Sequence, residues 1–295
     1  MSIDTRAFKI GDNDKVDLEK RPTKVKDFYS SDADYDSIRD DHAKRINHLQ
    51  EMMYASERFA LLIVFQGMDT AGKDGAIAHV MASVDPQGCR VHSFKVPTSE
   101  ELHHDFLWRV VSRLPERGKV GLFNRSYYED VLVVRVHPEY LGGAGFDPAL
   151  GTKNGFWKDR FESINDFERH LNRNNTKVLK FLLHVSKEEQ RQRFLARLAE
   201  PDKTWKFSTG DLPERARWHD YMHAYEECIA ATSKDHAPWF IVPADDKKNA
   251  RLIVSQAVVD AMEKMDLAYP KPDAKRAAEL RAARKDLEEE KLIRD

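Results

Sequence analysis

Apolar residues along this chain gather in five short runs, Leu61–Phe65, Val91–Val96, Val120–Phe123, Val178–Val185 and Trp239–Val242, parted by stretches where they recur every three or four positions. Runs of that length predict strands, and the spacing between them is that of helices. Strand and helix in alternation imply crossover connections and a mostly parallel sheet. Leu61-Leu62-Ile63-Val64-Phe65 is apolar at every position, which predicts a central strand covered on both faces. Helices are expected over Asp36–Ser56, Ala76–Val84, Gly155–Asn172, Lys187–Leu198 and within Asp211–Ser233, where Trp218, Tyr221, Met222 and Tyr225 share a side.

The ends read differently. Residues 1–35 are polar, broken by Pro22 and without sustained period, and predict an arm wrapping the domain. Beyond Pro270 and Pro272 the tail is rich in Ala, Leu, Glu, Lys and Arg, so residues 269–295 are expected to form a charged, solvated helix. One α/β domain over residues 36–268, three-layered α/β/α around a five-stranded sheet, is left between them, with a helical lid inserted at about 190–216.

Hydrophobic residues make up 41% and charged residues 33% of the 295 positions, a globular composition with a heavily charged surface. No apolar run approaches the roughly 18 residues that would span a membrane, and the opening segment lacks the apolar core of a secretory signal. A cytoplasmic protein is expected. Cys89 and Cys228 have neither zinc nor redox spacing and predict packing residues. A formal net charge of −2 offers no global attraction to nucleic acid or any other polyanion, so a phosphate-rich ligand needs a local concentration of positive charge.

Such a place follows the first strand. Gly67-Met68-Asp69-Thr70-Ala71-Gly72-Lys73-Asp74 fits G-x-x-x-x-G-K, a pattern that chance alone produces in roughly one chain in ten of this length. Its position between a buried strand and a helix is what gives it weight. Glycines let backbone N–H groups turn inward around phosphate oxygens, the helix start adds its positive dipole end, and Lys73 adds a full charge. Asp74 stands where a Ser or Thr hydroxyl usually ligates Mg²⁺, so the metal role shifts to Asp69, whose carboxylate suits a hard cation. The third strand runs into Asn124-Arg125-Ser126-Tyr127-Tyr128-Glu129-Asp130, at the strand ends where ligands bind in open parallel sheets. Arg125 is placed to neutralise a transferring group, and Glu129 and Asp130 to complete a magnesium site with Asp69; acidic residues in a helix's first turn also have a purely structural reading.

The lid is basic. Arg191, Arg193, Arg197, Lys203 and Lys206 face only Glu200 and Asp202 between positions 190 and 206, and Pro201 breaks the helix. A closing segment of that kind brings cations onto a migrating phosphoryl group and excludes water. A solvated charged helix is the plainer reading. Lys95, near the second strand's end, is a further phosphate candidate.

The segments GMDTAGKDG, SFKVPT, HHDFLWR, FNRSYYEDVLVVRVHPEYL, HVSKEEQRQRF, WKFSTGD and APWFIVPADDK, in this order over about residues 40–265, together resemble the polyphosphate kinase 2 family. The resemblance implies a P-loop kinase fold with a helical lid, Mg²⁺ dependence with Mn²⁺ as substitute, and reversible transfer of a terminal phosphate from inorganic polyphosphate to a nucleotide. The family's loop aspartate and lysine fall on Asp69 and Lys73, its second acidic motif on Asn124-Arg125 and Glu129-Asp130, and its lid arginine on Arg193. Members restricted to nucleoside diphosphates tend to carry an aspartate before the arginine; Asn124 departs from that and points to subgroups accepting AMP and then ADP. The expected machinery is Asp69 and Asp130 on the metal, with Lys73, Arg125 and Arg193 as charge neutralisers. Gly67, Met68, Thr70, Ala71, Gly72, Asp74, Lys95, Arg197, Lys203 and Lys206 are expected on phosphates, and Asn124, Glu129, Trp157 and Arg160 on the nucleotide. A homo-oligomer, dimer or tetramer, is expected as well. The loop by itself also admits an ATP-dependent kinase of another small molecule, or a nucleotide-binding module without turnover.

Overall fold

The computed structural model describes residues 3–12, 14–82 and 84–294, except for the side chains of Lys203, Lys206 and residues 291–294. Five strands, β1 (Ala60–Gln66), β2 (Cys89–Ser93), β3 (Val120–Asn124), β4 (Thr176–His184) and β5 (Trp239–Pro243), form one sheet in the order β2-β3-β1-β4-β5. Every pairing is parallel, so the sheet is wholly rather than mostly parallel. At least one helix intervenes between each strand and the next, and a crossover of that length is what parallel pairing requires.

All seven residues of β1 are buried, as a continuous apolar run predicts. Its register places Phe65 opposite both Asn124 of β3 and Phe181 of β4. The chain leaves β1 to build one half of the sheet and returns on its other side to build the second. A crevice opens at the carboxyl ends where the order switches, and β1 and β3 deliver their following segments to it side by side.

Eleven α-helices are described: α1 (Asp32–Ser56), α2 (Lys73–Met81), α3 (Ser99–Leu102), α4 (Trp108–Val111), α5 (Glu129–Val136), α6 (Asn154–Arg173), α7 (Lys187–Ala199), α8 (Asp211–Ala216), α9 (Trp218–Thr232), α10 (Lys247–Glu263) and α11 (Ala274–Arg294). α1, α2 and α10 pack together on one face of the sheet, and α5, α6 and α9 on the other. Local capping moves several boundaries from those expected. Ser31 accepts from the Asp34 N–H and starts α1 four residues early, in a stretch too polar to show a period. α2 begins at Lys73 rather than Ala76 because Gly72, at φ 105°, turns the chain straight into it. The 211–233 stretch divides at Arg217 into α8 and α9.

Residues 3–12 lie along the outer edge of β5, where the Ile10 N–H donates to the Trp239 carbonyl and the Ile241 N–H to Phe8, both at 2.9 Å. That pairing covers an otherwise open edge. α11 is exposed along nearly all its described length. Among the described residues no helix is long and apolar enough to cross a membrane.

Candidate functional site

The loop after β1 is built from backbone geometry that its residues make unavoidable. A Cβ at Gly67, where φ is 149°, would lie 2.9 Å from the Leu183 carbonyl, so no other residue fits without displacing β4. Thr70 also takes positive φ, 63°, a conformation costly for a β-branched residue. Its hydroxyl is buried and has no hydrogen-bond partner. Lys73, 9% exposed, folds back so that Nζ donates to the carbonyls of Gly67 at 2.5 Å and Met68 at 3.2 Å. Burial, and then the charge of Arg125, pull its pKa below the usual lysine value. A phosphate arriving beside it would reverse that shift.

Across the crevice, Arg125 holds positive φ, 62°, with its N–H on the Phe65 carbonyl. Its guanidinium bridges two carboxylates, Asp69 Oδ1 at 3.0 Å and Glu129 Oε2 at 3.1 Å. Glu129 and then Asp69 raise its pKa further, against burial, so the charge is permanent. Asn124 Nδ2 donates to Asp74 Oδ1 at 2.6 Å. The contact fits an amide and not a carboxylate, which would face Asp74 with like charge.

Arg193 ties this loop to its surroundings. It projects from α7 and is 9% exposed. Nε donates to Glu189 at 2.8 Å, Nη1 to the carbonyls of Thr70 (2.9 Å) and Ala71 (3.1 Å), and Nη2 to those of Ala244 (2.6 Å) and Asp245 (3.1 Å). A guanidinium has five N–H donors, and all five are engaged. Arg193 therefore clamps the phosphate loop to the turn after β5.

Asp130 and Asp69 have different partners, and Asp69 meets Arg125. Asp130 faces α6, where Arg160 Nη1 donates to its carbonyl at 2.7 Å and lies 3.8 Å from its carboxylate. Burial pushes its pKa up to about 6, opposed by Arg160 and Arg109. Arg160 itself is ringed by Phe106, Phe146, Phe156 and Trp157. Trp157 is 1% exposed with its indole N–H on the Gly151 carbonyl.

A cavity of about 1130 Å³ opens over the loop. Seven basic residues line it, Lys73, Lys95, Arg125, Arg193, Arg197, Lys247 and Arg251, against three acidic ones, Asp69, Asp74 and Glu200. Lys95 lies two residues beyond the end of β2 and still reaches it. The side chains of Lys203 and Lys206 lie outside the described residues, although Trp205 between them is on the wall. Sequence reasoning missed Lys247 and Arg251, on the first turns of α10. Their spacing of four, just after a strand, is the one local signal that could have found them.

Among the described residues no group of three or more acidic, His or Cys side chains is arranged to hold a metal. Magnesium commonly takes only one or two carboxylates and completes its shell with water and substrate phosphates. Asp69, an oxygen donor on the cavity wall beside the loop, fits that habit; Asp130 is not on that wall.

A parallel sheet in this order, a glycine loop feeding a helix, and basic groups converging from α7 and from α10 define the P-loop class of phosphate-handling α/β proteins. The model for Polyphosphate kinase 2 matches residues 29–270, and the chain belongs to that family. It is 51% identical over 287 residues to an ADP-polyphosphate phosphotransferase of Rhodopseudomonas palustris, covering 97% of this chain and 99% of that one. It is 43% identical over 233 residues to an AMP/ADP-polyphosphate phosphotransferase of Meiothermus ruber, covering 78% and 82%. The crystal structure of a polyphosphate kinase 2 from Arthrobacter aurescens TC1 superposes with a TM-score of 0.83 at 39% identity, over 95% of each chain.

Proposed function

We propose that this chain is a cytoplasmic phosphotransferase that moves the terminal phosphate of inorganic polyphosphate onto AMP or ADP, reversibly. What carries the reading is the coincidence of a family match over residues 29–270 with a cavity lined by seven basic and three acidic residues. A volume near 1130 Å³ also exceeds the roughly 300–1,000 Å³ usual for one small ligand, as two phosphate-bearing substrates would need.

An oxygen of the acceptor's terminal phosphate attacks the end phosphorus of polyphosphate in line. One P–O bond forms, and the bond to the shortened chain breaks. A nucleotide phosphate is largely ionised near neutrality, its second pKa being about 6, so no general base is required. Positioning and charge neutralisation supply the acceleration. Lys73 exchanges the Gly67 and Met68 carbonyls for phosphate oxygens, and Arg125 turns from Asp69 and Glu129 toward the migrating group. Arg193 holds the loop's shape throughout. Asp69 is the residue to hold Mg²⁺, which when bound would neutralise phosphate charge further; Mn²⁺ would substitute. Asn124 keeps Asp74 quiet at the start of α2, and we assign it to acceptor choice through that contact.

The test is to supply Mg²⁺ and long-chain polyphosphate with AMP or ADP in turn and to follow both nucleotide products and chain shortening. ADP and ATP should appear in step with polyphosphate loss. Product formed only with ATP as donor and another small molecule as acceptor would establish the ATP-kinase reading, and nucleotide binding with neither reaction a module without turnover.

A further inference from the structure

The two helices of the lid are attached in different ways. α7 carries three buried side chains, Gln190 at 1%, Phe194 at 5% and Arg193 at 9% exposure. α8 carries none. What holds α8 is polar: Arg215 Nη1 donates to the Lys187 carbonyl and to Gln190 Oε1, both at 2.7 Å, and Glu214 meets His137 at 3.0 Å and the Tyr221 hydroxyl. An element with no fully buried side chain and a few part-exposed hydrogen bonds opens at low cost, whereas α7 would have to break the Arg193 clamp to move. The moving part of the lid thus begins after Ala199, and α7 belongs to the fixed wall.

Gln190 sits between the two. Its amide oxygen accepts from Arg215 and its Nε2 donates to the Asp69 carbonyl at 3.1 Å. Only this orientation of the amide serves both neighbours, since a guanidinium cannot accept and a carbonyl cannot donate. A trans peptide carries its C=O and N–H on opposite sides, so gripping the Asp69 carbonyl also fixes the direction of the Thr70 N–H, at the loop residue held in positive φ. If α8 lifts, Arg215 leaves with it, and the buried amide oxygen of Gln190 loses a partner it cannot replace from solvent. The amide is then free to turn, and the Asp69 peptide with it.

We propose that Gln190 is a positioning residue that transmits the seating of α8, through Arg215, to the Asp69 peptide, so that the phosphate loop is fully ordered only under a closed lid. The inference rests on the phosphotransfer reading above. Its consequence is a choice of acceptor: a loop ordered only when water is excluded delivers phosphate to nucleotide rather than to water.

The experiment compares the full-length enzyme with Gln190→Met, Arg215→Met and the double variant. The quantity read is nucleotide phosphorylated per orthophosphate released from polyphosphate, together with the unfolding midpoint. Each single variant should lower that ratio about fivefold to tenfold, and the double variant no further than either alone, as for two links of one chain. Gln190→Glu, which keeps the Arg215 contact and cannot donate to the Asp69 carbonyl, should behave like Gln190→Met. Multiplying effects in the double variant, or a ratio unchanged while only the midpoint falls, would overturn the relay and leave the phosphotransfer reading standing. Should Gln190→Met fail to fold, Arg215→Met and Gln190→Glu decide the matter. A wild-type protein that phosphorylates no nucleotide would overturn both readings.

Discussion

Lys180 and Lys73 are both buried lysines on neighbouring strands' paths, and they answer burial in opposite ways. Lys180 lies within β4, in register with Val64 of β1, three residues before the phosphate loop. It is 0% exposed, and its Nζ donates to Glu168 Oε2 at 2.5 Å, to the Tyr128 hydroxyl at 3.0 Å and to the Thr232 carbonyl at 2.7 Å. Tyr127 and Tyr128 in turn donate to Glu168 Oε1 at 2.7 and 2.8 Å. Every charge in that cluster is met by the protein. Lys73 Nζ donates only to loop carbonyls, and Asp69, the carboxylate that most favours its charged form, is engaged by Arg125. A fully paired buried charge marks architecture, whereas a buried cation held by neutral carbonyls at a cavity wall marks a place kept for an anion.

The largest effect should come from breaking the closed cluster. Lys180→Met leaves Glu168 as an uncompensated buried charge, which typically costs about 3–5 kcal/mol. Adding Glu168→Gln in the same chain removes that charge and keeps an acceptor for the two tyrosines, so much of the loss should return. Urea unfolding of the three proteins reads this directly. A single variant as stable as wild type would mean that the pair does not hold the fold, and the contrast with Lys73 would fail.

How much of each cluster the sequence discloses follows from distance along the chain. The phosphate loop is legible because its eight residues are consecutive and its strand and helix adjoin it. β1 is legible because five apolar residues in a row have one explanation. Lys180 is not, since a lysine amid Val178, Leu179, Phe181 and Leu182 has no visible partner until folding brings Glu168 of α6 to it. Arg193 has its acceptors on carbonyls of the loop and of the β5–α10 turn, some 120 and 50 residues away, and periodicity carries no trace of backbone acceptors. Asp130 adjoins Glu129 in sequence, and its contact with Arg160 of α6 shows only in the fold.

The next test exchanges the consequences of the two lysines. Lys73→Ala should reduce kcat by about 10²–10³-fold, the usual cost of removing a donor aimed at developing charge. The loss of unfolding free energy should be well below that of Lys180→Met, because removing Lys73 leaves neutral carbonyls rather than a buried carboxylate without its partner. Loss of stability comparable to that of Lys180→Met would place Lys73 among the architectural charges after all.

A third, half-buried base sharpens the rule, because it has neither a carboxylate nor an anion to wait for. His79, on α2, has its pKa pulled down to about 4, first by burial and then by the charges of Arg251, His42 and Arg39. It solves the problem by being neutral. Between pH 6.5 and 4 the unfolded chain therefore takes up a proton at this position and the folded chain does not, so folding loses stability as pH falls through that window. The full shift would be worth more than 3 kcal/mol, and part-exposure of the ring reduces this to roughly 1–2 kcal/mol. His79→Gln, neutral at every pH, lacks the term. The difference in unfolding free energy between wild type and variant should fall by that amount from pH 7 to pH 4 and lie flat above pH 7. A difference that does not change with pH would mean that the imidazole finds a partner in its charged form, and that buried bases here do not divide simply into paired, waiting and neutral.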